Sequence, residues 1–186
     1  MDLLVVSGST RRDSFNTRLA RLVRDLRPQD RVTLVSDLTV LPFYDADVEA
    51  LGVPGIVADL RRAVAEADVV VVVTPEYNGT VPGVLSNAVD WLSRPRGQSV
   101  LQGKRVVVLS ASPTPYGGVR AAEHLRAVLR RVGAAVATQG MSVPAAHRRL
   151  DEPVDPEVVD ALAAVLGEVL GEVLSGVPAG DAAVDA

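Results

Sequence analysis

Three short stretches of this chain combine residue types that could hold a small anionic or planar ligand. In residues 8–16, Ser9, Thr10 and Ser14 supply hydroxyls, Asn16 an amide, and Arg11 or Arg12 a guanidinium. The stretch lies between a strand-like run and a helix-like one, so the free N–H groups and dipole of a helix start add to the set. Such a loop suits phosphate. It is not GxGxxG and lacks the Gly-Lys-Ser/Thr of a nucleoside-triphosphate loop, which argues for one phosphate over a pyrophosphate. On the plainer reading, Ser14 only caps the helix and both arginines are solvated.

The second stretch, Pro75, Glu76, Tyr77, Asn78 and Gly79, has no basic group and is no phosphate cradle. Its rigid proline and its glycine suit a flat ligand lying against backbone. Glu76 accepts hydrogen bonds, Asn78 gives and accepts them, and Tyr77 is either a stacking surface or a packed rim residue. The third stretch, 110–118, brings hydroxyls at Ser110, Ser112 and Thr114, and Gly117 and Gly118 permit close backbone approach. It either completes a wall or is a helix entry carrying two prolines, Pro113 and Pro115.

Strands and helices in alternation must position these loops. Five successive valines, Val69 to Val73, suit a strand buried on both faces in the middle of a parallel sheet. Thr74-Pro75 ends it, because proline cannot donate to a ladder. Beyond Pro82, Leu85, Ala88, Val89 and Leu92 fall on one helical face. Further strands are expected at 2–7, 31–36 and 104–109, with a weaker fifth over 134–143. Helices are expected at 14–27, at 54–66 with a stripe from Ile56 through Leu60, Ala63 and Val64 to Ala67, after Gly118, and from Asp155-Pro156 to about Ser175. Residues 37–53 and 144–154 read as loops. Crossovers long enough for helices make the sheet parallel, and 2-1-3-4-5 is the common five-stranded order. The three loops then share the carboxyl edge of strands one, three and four, where open α/β sheets bind ligands.

Composition narrows the function classes. At 186 residues the chain fits one domain, 1–175, followed by an aperiodic tail, 176–186, expected to be disordered. A net charge of −4 argues against nucleic acid or an anionic membrane as the main partner. The chain has no cysteine, which excludes disulfides, thiol nucleophiles and thiolate-bound metals; two histidines are too few for a histidine-rich metal site. No apolar run approaches the roughly 20 residues of a bilayer span, and no basic-then-apolar leader stands at the start. These features read as a soluble, cytoplasmic protein.

Two long motifs carry a resemblance. Gly8-Ser9-x-Arg11-x-x-Ser14-x-Asn16-x-x-Leu19-Ala20 and Pro75-Glu76-Tyr77-Asn78-Gly79-x-x-Pro82-Gly83-x-Leu85-x-Asn87-Ala88-x-Asp90-Trp91 resemble the NADPH-dependent FMN reductase family of flavodoxin-like proteins. The similarity runs in order and spacing over about 2–170. It implies a flavodoxin-like three-layer α/β/α sandwich and a bound FMN. The phosphate would meet Ser9, Arg11, Ser14, Asn16 and the Thr10 backbone; the isoalloxazine would lie along Pro75 to Gly79, with Ser110, Ser112 and Gly117 at its border. Pro113 and Pro115 depart from the family's glycine-rich third loop. NADPH, or NADH, would be co-substrate, its hydride passing through flavin N5 to a small acceptor (free flavin or quinone) in alternating, ping-pong turnover. The resemblance also implies a homodimer or homotetramer, with Trp91, off its helix's apolar stripe, as an interface candidate.

No residue is required as acid or base, so none is assigned a catalytic role. The pairs Asp45/Asp47 and Asp151/Glu152 read as solvated, His124 and His147 as surface residues, and Arg126, Arg130 and Arg131 as a solvated helix face or an attractor of the NADPH 2′-phosphate. Two rivals stand: a quinone, azo or chromate reductase on the same scaffold, and a non-catalytic flavodoxin-type carrier. Carriers are strongly acidic, and −4 is mild.

Overall fold

A computed structural model of the chain describes residues 1–176; the rest of the expected tail, 177–186, lies outside the described residues. The elements run β1 (Asp2–Ser7), α1 (Phe15–Asp25), β2 (Arg31–Val35), α2 (Ala46–Leu51), α3 (Gly55–Glu66), β3 (Val69–Thr74), α4 (Gly83–Leu92), β4 (Arg105–Ala111), α5 (Val119–Arg131), β5 (Ala135–Val136), β6 (Met141–Val143), α6 (Ala146–Arg149) and α7 (Pro156–Leu174). The sheet is parallel with order β2-β1-β3-β4-β5, and β6 also pairs with β4. That is the expected order.

The valine run explains the layers. Val69, Val71 and Val73 pack with Leu3, Val5, Val107 and Leu109 beneath α1 and α7. Val70 and Val72 face the other way, with Leu4, Val6, Val106 and Val108 beneath α3, α4 and α5. A strand with apolar residues on both pleat faces must be covered twice. Each buried valine contributes about 1.5–3 kcal/mol relative to exposure, so β3 alone makes the sandwich favourable. Close approach at the carboxyl end depends on Gly8: a Cβ there would meet Leu85 Cδ2 at 2.7 Å.

Several boundaries differ from the sequence reading. Residues 37–53 are not all loop, since Asp45 accepts from Asp47 N and starts α2. Short, wholly unburied α2 has no apolar periodicity to announce it. The fifth strand is two pieces, β5 and β6, separated by four residues, and the 144–154 loop contains α6, which carries His147. Ile56 is exposed while Val57, Leu60 and Val64 face inward, a rotation of the expected α3 stripe. Arg126 is not on a solvated face: it reaches in to donate to the Val108 carbonyl at 3.2 Å.

Trp91 is also corrected. It is 0% exposed within one chain and belongs to the core under α4. Its Nε1 donates to the Pro42 carbonyl at 2.8 Å, and its ring meets Tyr44 edge-on at 5.0 Å. Asn87 Nδ2 donates to the same carbonyl, and Asn87 Oδ1 accepts from Tyr44 N. Helix α4 thus pins residues 42–44. Because Asn87 still satisfies Pro42 O, Trp91→Phe should cost only about 1 kcal/mol, whereas Trp91→Ala should cost about 3–5. Urea unfolding followed by circular dichroism checks both values.

Candidate active site

Ser14 is the N-cap of α1. Its Oγ accepts from Thr17 N at 3.0 Å, and its carbonyl accepts from Arg18 N. Within the described residues, the N–H groups of Thr10, Ser14, Phe15 and Asn16 have no hydrogen-bond partner, and Arg11 makes no ion pair. These donors lie together at a helix N-terminus, where the dipole favours an anion. Capping by Ser14 therefore leaves these N–H groups available to an anion. The buried hydroxyl group of Ser7, Ser14 and Thr17, joined at 3.1 and 2.9 Å, sets the floor of the loop.

Asn16 has a different task from the one its side-chain type suggested. Its Nδ2 donates to the Ala111 carbonyl and its Oδ1 accepts from Ala111 N, both at 2.9 Å. This paired bond joins the start of α1 to the end of β4, and Gly8 N donates to the Val73 carbonyl at 2.8 Å alongside. Asn16 can offer a ligand its backbone N–H, while its side-chain amide is tied to β4.

Asp13 closes the loop. Arg18 grips it through Nε and Nη2 at 2.9 and 2.8 Å and reaches Asp151 through Nη1. The Arg18 bond lowers the Asp13 pKa below the ordinary carboxylate range. A lowered value means that the pair's contribution is present above that range and is lost as pH falls through the folded value. The pair is exposed, so the contribution is small.

After β3, Tyr77 N donates to Thr80 O and Thr80 N to Tyr77 O, both at 3.0 Å, around Asn78 (φ 53°) and Gly79 (φ 76°). Two positive φ values make a type I′ turn, for which Asn-Gly is the favoured pair. Glu76 sits beside the start of α5, its Oε2 accepting from Ala121 N at 3.4 Å. Ser110 is fully buried: its Oγ donates to the Gly117 carbonyl at 2.8 Å and lies 2.8 Å from Ser142 Oγ. A Cβ at Gly117 would meet Pro144 N at 2.9 Å, so only glycine fits there.

The three loops share one cleft. Ser9, Arg11, Ser14, Asn16, Pro75, Glu76, Tyr77 and Ser112 line it, around a cavity of about 150 Å³. That is smaller than most closed small-molecule sites, and the cleft is open to solvent. Asn78 and Gly79 stand at the adjoining turn, Thr10 is on the exposed rim, and Ser110 and Gly117 lie behind the wall. Phe15, Ala111 and Pro113 also line the cleft, and the sequence reading missed them. Phe15 was findable, as the first helical residue after the cap.

These features fit FMN. Unpaired N–H groups with Arg11 suit its phosphate, and the Pro75–Tyr77 side, without basic groups, suits its ring. The model of the family described as NADPH-dependent FMN reductase matches residues 1–148. The chain belongs to that family.

Family membership makes the chain an NAD(P)H-dependent oxidoreductase with FMN as its cofactor. It is similar to a 2-hydroxy-1,4-benzoquinone reductase of a Burkholderia species, 42% identical over 128 residues and 69% of each chain. To a quinone reductase of Escherichia coli strain K12 it is 37% identical over 162 residues, 86% of each. A solved flavoenzyme NAD(P)H:(acceptor) oxidoreductase from Paracoccus denitrificans superposes with a TM-score of 0.83 at 27% identity, covering 94% of this chain and 97% of that one.

The cleft separates two roles in the first loop. Arg11→Ala should weaken FMN binding about 10- to 100-fold, the worth of a charge-assisted hydrogen bond, and leave the melting temperature unchanged. Asn16→Ala should lower the melting temperature, because it orphans both buried backbone groups of Ala111. Flavin-fluorescence titration of apoprotein and a thermal melt separate the two.

Proposed function

We propose that this FMN reductase-family member binds FMN in the cleft of Ser9, Arg11, Ser14, Pro75, Glu76, Tyr77 and Ser112, and reduces quinones or free flavin with NAD(P)H. When bound, FMN supplies the redox chemistry, taking a hydride from the nicotinamide and passing electrons to the acceptor. The loop N–H groups and Arg11 hold the phosphate, while Pro75 and Tyr77 offer a flat surface to the ring. Glu76 lines the same side, one of its oxygens accepting from Ala121 N at the start of α5. The observation that carries the reading is the array of unpaired N–H groups beside Arg11 in a cleft that all three loops line. Relatives named quinone reductase support the acceptor class.

The proposal includes a cytoplasmic homo-oligomer, a dimer or tetramer. Among the described residues no helix is long and apolar enough to cross a membrane. Phe43 is 81% exposed and Leu51 92%, with Val40, Val48 and Ile56 also exposed. Phe43 stands on backbone held on both sides by Asn87 and Trp91, so its exposure is not a matter of loop mobility. A second copy covering this patch would bury it. Phe43→Ser combined with Leu51→Ser should shift the protein toward monomer in light scattering with no loss of helix content.

Absorbance of the purified protein tests the activity. A flavin band that bleaches on anaerobic addition of NADPH and returns with a benzoquinone is the expected result. A band that NADPH leaves unchanged would favour a carrier over a reductase, and no band with excess FMN would overturn the cofactor site.

A further inference from the structure

The turn on the ring side of the cleft is too small to hold its own shape. Its two backbone bonds close a four-residue unit, Tyr77 to Thr80, and isolated two-stranded hairpins are marginal in water. Among the described residues two side-chain hydrogen bonds hold it, and both come from α5. Glu76 Oε2 accepts from Ala121 N, and Thr80 Oγ1 lies 2.6 Å from His124 Nδ1, with either atom able to donate. Ala121 and His124 are three residues apart, on one face of the helix. The same helix follows directly on Gly117 and Gly118, at the end of the third loop. One rigid strut therefore carries both the ring-side turn and the third wall.

We propose that His124 is a positioning residue for the flavin ring, acting through Thr80; this rests on the FMN reading above. The imidazole need not touch the cofactor. By fixing Thr80 it fixes the Asn78–Gly79 peptide groups, whose left-handed backbone has few alternative forms once one end is held. His124 is exposed on its helix, so its bond to Thr80 is not needed to close the core. Among the described residues no other side chain bonds to Thr80.

A ring-side role has a signature that a phosphate-side or global role lacks. Riboflavin has the ring of FMN without the phosphate, so loss of ring positioning should weaken both ligands by the same factor. The experiment is titration of apoprotein with FMN and with riboflavin, followed by quenching of flavin fluorescence, for His124→Phe, His124→Asn, Thr80→Val and the His124→Phe/Thr80→Val pair. His124→Phe and Thr80→Val should each weaken both ligands about tenfold, the scale of one lost hydrogen bond. The pair should be no weaker than either single variant. His124→Asn, which can place a polar atom near Nδ1, should recover most of the loss. The FMN-to-riboflavin affinity ratio should not move.

Several results would overturn the proposal. Unchanged affinities in His124→Phe would do so, as would a loss confined to FMN or an additive loss in the pair. If His124→Phe alters the far-ultraviolet spectrum, Thr80→Val against Thr80→Ser decides, with serine expected to keep wild-type affinity. Failure of the wild-type protein to bind either flavin would bring down the cofactor reading itself, a separate outcome from wild-type binding that His124 leaves unmoved.

Discussion

Burial of β3 on both faces is the constraint from which the rest follows. Val69 to Val73 have no solvent-facing side, so the chain must supply helices above and below, and β3 must sit between other strands. β1 and β4 fill those places in register, Ser7 beside Val73 and Thr74 beside Ser110. Their carboxyl ends are then level, and the loops that leave them must share one edge. The cleft results from covering a valine strand twice. Its chemistry was placed on loops that the core had already brought together.

The two sides of the cleft are held differently. On the phosphate side the loop is tied to neighbouring strands by Gly8 N to Val73 O and by the paired Asn16–Ala111 bond, both to backbone within the sheet. The ring side is tied by side chains to a helix, through Glu76 and His124. On the proposed reading, the phosphate of FMN would meet backbone tied to the sheet, and its ring would meet a turn tied to a helix.

Local requirements were legible in the sequence, and distant tethers were not. The polyvaline run, Ser14 as a cap, Asp155-Pro156 and the glycines of the third loop each answer a demand set within a few residues. The strand order and cleft location followed from those. The Asn78-Gly79 pair also signals a type I′ hairpin, a local cue that the reading of 75–79 as a polar ligand loop did not use. What escaped was contact across sequence. Asn16 and Ala111 are 95 positions apart, and Thr80 and His124 are 44 apart. Asn16 looked like a ligand-binding amide because its type and position fit that role; only the fold shows both its polar atoms spent on β4. Trp91 misled for a similar reason: its position off the helix stripe suggested an exposed ring, but the segment at 42–44 folds over it.

The break in the fifth strand has a physical account that leads back to the site. β5 pairs with β4 at Arg105 and Val106, the chain leaves the ladder, and β6 returns at Leu109 to Ala111. Beside the gap, Arg126 enters from α5 and donates to the Val108 carbonyl, and burial lowers its pKa from the ordinary arginine value. Gly140 permits this, since a Cβ there would lie 2.5 Å from Val108 O. The detour allows the chain to come back one layer higher. Ser142 then stands beside Ser110, and Val143 O accepts from Ser112 N at 3.1 Å, backing the third wall of the cleft. A continuous fifth strand would have had its register set by the pairing of Val106 with Val136. The loop at 110–118 depends on the pairing at Ala111, which the interrupted strand sets independently.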